Sequence, residues 1–207
     1  MTDTATSTEG PNAGQAAYWN TLAGATWVAM QDKLDRQIAG VGAATIAVLD
    51  PRPGEKILDV GCGCGASSLE LARAVGATGE VLGLDISAPM LEVARRRAAE
   101  AGLAQARFQV GDAQVWPFEP GTYDALFSRF GVMFFADPTA AFSNLRRALK
   151  PDGRMTFLCW RTVADNPIMT VPGAAAAKLF PAEPPASPPD PNAPGPFAFA
   201  DGERLRG

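Results

Sequence analysis

The stretch Glu55-Lys-Ile-Leu-Asp-Val-Gly-Cys-Gly-Cys-Gly-Ala-Ser-Ser-Leu-Glu-Leu-Ala72 constrains the fold more than any other part of this 207-residue chain. Ile57, Leu58 and Val60 form a short apolar run of the kind a buried parallel strand shows, and Leu69, Leu71 and Ala72 resume with helical spacing. Gly61, Gly63 and Gly65 lie between them. Glycine tolerates positive φ and carries no Cβ, so the backbone there can approach a ligand closely while the following helix aims free N–H groups at it. Strand, glycine turn and helix together predict a nucleotide-like ligand at the C-terminal edge of a sheet.

The same alternation continues along the chain. Residues 81–84, 106–110, 123–127 and 155–160 read as further strands, and 66–76 and 88–101 as helices, with another opening at Asp137-Pro138 in the style of an N-cap followed by proline. Lys150-Pro-Asp-Gly153 reads as a turn. Strands alternating with helices imply right-handed crossovers, hence an α/β fold with a doubly wound, mostly parallel sheet. Ahead of it, Trp19, Leu22, Trp27, Met30, Leu34, Ile38 and Val41 recur at threes and fours, predicting two or three helices over 15–50 broken at Gly24 and Gly40.

Composition narrows the class. With 47% hydrophobic and 19% charged residues and no apolar run near the roughly 18 residues of a membrane helix, a soluble, cytoplasmic protein without an integral membrane segment is expected. Residues 1–15 have neither a basic start nor an apolar middle and read as a disordered tail. The net charge of −4 opposes a nucleic-acid partner, and Arg95-Arg96-Arg97 reads as the solvated face of a helix. Cys62, Cys64 and Cys159 are an odd number, which argues against a disulfide framework. With no histidine, a zinc site at Cys62-x-Cys64 is not expected. Pro181 to Pro196 holds eight prolines in sixteen residues, which forbids a packed element.

Three successive strands end in acids: Asp59, Asp85 and Asp112. In an open parallel sheet the ligand lies beyond those strand ends. Asp59 suits an ammonium group, Asp85 the hydroxyls of a ribose, and Asp112 with the Ala113 N–H the edge of an adenine. A single acid at a strand end is usually a cap or turn residue; three in register beyond a glycine turn point to S-adenosylmethionine. Gly61-x-Gly63-x-x-Ala66 also fits the dinucleotide fingerprint, so the turn alone does not choose the cofactor.

Ile57-Leu-Asp-Val-Gly-Cys-Gly-Cys-Gly65, Val81-Leu-Gly-Leu-Asp-Ile-Ser87, Val110-Gly-Asp-Ala113, Tyr123-Asp-Ala-Leu-Phe-Ser128 and Leu149-Lys-Pro-Asp-Gly-Arg154 resemble the ordered motifs of class I S-adenosylmethionine-dependent methyltransferases. Within that group the chain resembles the branch that includes ubiquinone/menaquinone-biosynthesis C-methyltransferases. The resemblance implies a Rossmann-like sheet with strands in the order 3-2-1-4-5. It implies that Asp59, Gly61, Cys62 and Gly63 surround the methionine part, Asp85 and Ile86 the ribose, and Met90, Gly111, Asp112 and Ala113 the adenine, with Ser128 and Arg129 alongside. Tyr18, Trp19 and Trp27 resemble an N-terminal lid, helix-on-sheet packing being the other reading, and Phe130 joins the acceptor side. The implied plan is a tail at 1–15, a helical lid at 16–50, a cofactor-binding core at 51–165, and at 166–207 a helix with an incomplete Pro-rich segment. The usual sixth and seventh strands are missing, as in a C-terminally truncated member.

A sulfonium methyl is already electrophilic, so the protein chiefly aligns a small-molecule nucleophile and excludes water. A base, where the acceptor needs one, falls to Asp137, Tyr18 or the substrate itself. The leading expectation is C- or O-methylation of a small molecule, with a cofactor-binding but inactive fragment and an NAD-dependent oxidoreductase as open alternatives.

Overall fold

The computed structural model describes residues 10–179, 190 and 193–206. Its centre is a sheet of five strands, all parallel, in the order β3-β2-β1-β4-β5: β1 Lys56–Val60, β2 Glu80–Asp85, β3 Ala106–Val110, β4 Tyr123–Arg129 and β5 Leu149–Leu158. Helices α1 Ala13–Trp19 and α2 Leu22–Leu49 precede the sheet, and α3 Ala66–Val75, α4 Ala88–Glu100 and α5 Pro138–Ala148 connect the strands. α6 Pro167–Ala177 and the short α7 Gly202–Arg206 follow β5. The strand order reverses between β1 and β4, the point at which an open α/β sheet binds its ligand.

Side chains of β1 alternate between two cores, as the period of a strand demands. Ile57 packs with Leu69, Leu71, Val75, Val81 and Phe127 under α3. Leu58 and Val60 turn to the other face and pack with Leu126, Met133, Leu145 and Phe118. Burial of Ile57, Leu58, Leu71, Leu126 and Phe127 is complete, and each such side chain contributes about 1.5–3 kcal/mol. Asp137 caps α5, its carboxylate accepting from the Ala140 N–H at 3.0 Å.

Four expectations are corrected or refined. The tail predicted through residue 15 gives way to structure earlier: residues 1–9 lie outside the described set, but α1 begins at Ala13 and Asn12 is buried. Gly24 and Gly40 do not break the N-terminal helices, since α2 runs through both. Gly24 instead lies against the Trp19 carbonyl, where a Cβ would collide, so it allows α1 to pack closely on α2. The turn at 150–153 is a bulge inside β5, because pairing passes from Tyr123 opposite Leu149 directly to Ala125 opposite Arg154. After β5, α6 lies where a helix was expected, and beyond the Pro-rich stretch Ala198 and Phe199 are buried in the α5 core, with the Gly195 N–H donating to the Met133 carbonyl at 3.0 Å. Most of the Pro-rich stretch lies outside the described residues.

Arg154 fastens the far end of α2 to the sheet. Its guanidinium donates to the Leu49 carbonyl at 2.6 Å, to the Asp50 carbonyl at 2.7 Å and to both Glu55 oxygens at 2.7 Å. The planar fork matches the carboxylate, which an ammonium cannot do. Arg154→Met is expected to cost about 2–3 kcal/mol of stability, and Arg154→Lys to recover only part of it. Urea unfolding with an unchanged slope is the check.

Candidate functional site

Above the C-terminal ends of β1, β2, β3 and β4 lies a cavity of about 420 Å³. The turn after β1 forms its floor. Gly61 has φ +67°, and a Cβ there would meet the Gly131 Cα at 2.6 Å, so only glycine fits between the two loops. The Gly61 N–H donates to the Leu84 carbonyl at 2.8 Å and the Gly63 N–H to Asp85 Oδ2 at 2.7 Å. Asp85 Oδ1 accepts from the Ser87 N–H at 2.8 Å. One carboxylate thus ties the glycine turn to the start of α4. Burial pushes the Asp85 carboxyl above its ordinary pKa, against the opposing effect of these backbone donors.

Of the residues expected around the cofactor, Gly61, Cys62, Gly63, Asp85, Ile86, Met90, Gly111, Asp112, Ala113 and Arg129 share this wall. Gly111 is small for a packing reason as well, since a Cβ would collide with the Trp116 ring. Cys62 and Cys64 are free buried thiols, and burial raises both, Cys64 to about 12.

Asp59 and Ser128 are not on the wall. Asp59 shares the face of Ile57 and turns toward α3, where its Oδ2 accepts from the Ser67 and Ser68 hydroxyls at 2.8 and 2.6 Å. Its Oδ1 is buried and has no donor among the described residues. Ser128 is fully buried; its hydroxyl donates to the Val60 carbonyl at 2.8 Å and accepts from the Gly131 N–H at 3.2 Å, so it sets the loop rather than lining the cavity.

The aromatic expectations divide. Trp19 and Trp27 line the cavity, packed edge-to-face at 6.0 Å, and Trp19 meets Phe134 edge-on at 5.3 Å. Tyr18 is 58% exposed and lies off the wall, because its neighbour on the helix takes the inward direction. Phe130 lines the cavity with φ +66°, uncommon for a bulky residue. It stacks on Trp160 with ring centres 4.2 Å apart. Asp137 is engaged as the α5 cap and is not on the wall, so neither suggested base, Asp137 nor Tyr18, reaches the cavity.

Three contributions were missed in the sequence. Asp35 of α2 lines the cavity and receives Arg97 at 3.1 Å, Arg129 at 3.5 Å and the Gln31 amide at 2.5 Å. Asn20 joins α1 to the β2–α4 loop, donating to the Ile86 carbonyl and accepting from the Ala88 N–H, both at 2.9 Å. Asn12 enters the wall from a stretch read as tail. Polar residues scattered along a helix carry no periodic signal, and nothing local to them announces a partner 60 or more positions away.

Residues 57–153 match the family model described as a methyltransferase domain. A nocamycin O-methyltransferase of Saccharothrix syringae is 37% identical over 115 residues, 56% of this chain and 41% of that protein. A demethylmenaquinone methyltransferase of Bacillus cytotoxicus is 38% identical over 114 residues, 55% of this chain and 48% of that protein. The chain spans about half or less of the length of these curated relatives. Among solved structures, the YcgJ protein from Bacillus subtilis aligns with a TM-score of 0.52 at 31% identity, covering 56% of this chain and 48% of that one. Phosphoethanolamine N-methyltransferase 2 of Haemonchus contortus, solved in complex with S-adenosyl-L-methionine, aligns with a TM-score of 0.54 at 26% identity over 70% of this chain and 34% of its own. The sheet order and these likenesses give a Rossmann-like fold, shared with these solved structures. No helix among the described residues is long and apolar enough to cross a membrane.

Burial of the Asp59 carboxylate makes stability pH-dependent. Desolvation raises its pKa to about 6, opposed by the hydrogen bonds from Ser68 and Ser67. The folded state then holds a proton that the unfolded state has released between about pH 4 and 6, so this group's contribution is full below that window and is lost as pH rises through it. Asp59→Asn removes the titration. Its stability relative to the parent is expected to be flat near pH 4 and to gain roughly 1–3 kcal/mol by pH 7. Thermal unfolding across that range is the measurement; a pH-independent difference would remove the assignment.

Proposed function

With a methyltransferase domain matched over residues 57–153 as the premise, we propose that this chain binds S-adenosylmethionine and transfers its methyl group to a small-molecule acceptor. One observation carries the reading: Asp85 and Asp112 stand on the wall of a single cavity at the ends of adjacent strands, over a glycine turn with no room for a Cβ. Asp59 adds a buried oxygen, without a donor among the described residues, at the end of the next strand. Asp85 and Asp112 fit the cofactor's ribose hydroxyls and exocyclic amine, while Asp59, turned to α3 and off the wall, adds negative charge under the turn that suits the cofactor's positive charge.

The cofactor supplies an electrophilic methyl group on a sulfonium. The rest is the work of this chain's residues. Gly61 and Gly63 let the backbone approach the methionine end, with Arg129 on the same wall. Asp85 keeps the turn in place and offers its remaining lone pairs to ribose hydroxyls. Trp19, Trp27 and Phe134 close the cavity from the α1 side and exclude water. Leu34, Ile38, Phe130, Trp160, Ile168 and Met169 also line the cavity, and this apolar surface supports a small organic acceptor over a polyanion such as nucleic acid. Holding that acceptor against the methyl group can lower the barrier by about 7–11 kcal/mol.

Calorimetry is expected to show binding of S-adenosylmethionine and S-adenosylhomocysteine and none of NADH. Asp85→Ala should weaken S-adenosylhomocysteine by about 1–3 kcal/mol. Binding of NADH without either sulfur nucleoside would overturn the reading in favour of an oxidoreductase. Binding without label transfer to any of a panel of phenols, quinols and amines would leave a cofactor-binding protein only.

A further inference from the structure

Asn12 lies just ahead of α1 and is 5% exposed. Its carboxamide joins parts of the chain far apart in sequence. Nδ2 donates to Asp112 Oδ1 and Oδ2 at 3.0 and 2.9 Å and to Gln114 Oε1 at 3.0 Å, while Oδ1 accepts from the Ala136 N–H at 2.8 Å. The direction of the amide follows from its partners, since a carboxylate can only accept here and a backbone N–H can only donate. Gln114 is fixed in turn: its Oε1 also accepts from the Asp137 N–H at 3.1 Å, and its own N–H donates to Asp112 Oδ1 at 2.9 Å.

These bonds leave Asp112 little freedom. Rotation of its carboxylate would break the shared Asn12 contact on both oxygens. A carboxylate has about four acceptor positions, and among the described residues its side-chain oxygens accept from the Asn12 amide and the Gln114 N–H, so capacity remains on the side of the cavity that both Asn12 and Asp112 line.

We propose that Asn12 is a positioning residue for recognition of the cofactor's base: it holds the Asp112 carboxylate in one orientation, so that this acceptor selects a purine carrying an exocyclic amine over one carrying a carbonyl there. The assignment rests on the methyltransferase reading above. The opposite role is also chemically available, because the Asn12 amide is itself an NH2 group on Asp112 and a displaceable stand-in would compete with the cofactor. The two roles change affinity in opposite directions.

The test measures S-adenosylhomocysteine and S-inosylhomocysteine, which bears a carbonyl in place of the amine, on the same preparations of the parent chain and Asn12→Ala. The parent is expected to prefer the adenosyl compound. Asn12→Ala should lose about tenfold in affinity for it and change little toward the inosyl compound, so the preference collapses. Because the ratio is taken on one preparation, partial unfolding does not mimic the result. Equal weakening of both ligands would make Asn12 merely structural, and tighter adenosyl binding would make it a competitor; either overturns the proposal. Asp112→Asn should abolish the preference by itself, and adding Asn12→Ala to it should change the ratio no further; a further change would show that Asn12 does not act through Asp112. A parent chain that binds neither compound would overturn the methyltransferase reading and this role with it, whereas a parent that binds with a ratio unmoved by Asn12→Ala would overturn this role alone.

Discussion

The bond from the Gly63 N–H to the Asp85 carboxylate is the constraint on which the site depends. A glycine turn is free to take many shapes; this one is held by a group from the neighbouring strand whose second oxygen holds the Ser87 N–H at the head of α4. The residue that positions the cradle is thereby a residue of the cradle. It has the capacity for both roles because a carboxylate has more acceptor positions than its backbone donors use. Burying it is unfavourable, and the two short bonds at 2.7 and 2.8 Å offset that cost.

Around this turn the N-terminal helices act as one wall. α2 is fastened at its C-terminal end by Arg154 and at mid-length by Asp35, which faces Arg97 of α4 and Arg129 at the end of β4. α1 is fastened by Asn20 and by the Ser87 hydroxyl, which donates to the Trp19 carbonyl at 2.8 Å. Each attachment uses a polar side chain reaching a backbone group or an opposite charge, with Trp19 and Trp27 packed between them. The two tryptophans are packed edge-to-face and stand on the cavity wall at the same time.

Legibility followed the reach of the interactions. The five strands, α3, α4 and the Asp137 cap are local objects, written in alternation, helical spacing and turn residues within a few positions. The bulge in β5 was read as a simple turn, because Lys150-Pro-Asp-Gly153 has the same composition whether it precedes a strand or interrupts one; only pairing with β4 distinguishes them. Gly24 looked like a helix break, because a glycine required by a neighbouring carbonyl is indistinguishable in sequence from one that ends a helix. Tyr18 and Trp19 were equivalent as letters, and the rotation of α1 about its axis separated them.

The sequence by itself determined the sheet, the glycine turn and the three acids, since strand period and strand-end position place them without reference to distant residues. What only the tertiary structure decided was which way those acids face and what holds them. Strand alternation sends Asp59 to α3, away from the cavity wall, while Asn12, Asn20 and Asp35 become part of the site by meeting Asp112, Ile86 and Arg129 across 66 to 100 positions of chain. A hydrogen bond of that span leaves no pattern in the neighbours of either partner, because its geometry is set by the packing of whole elements.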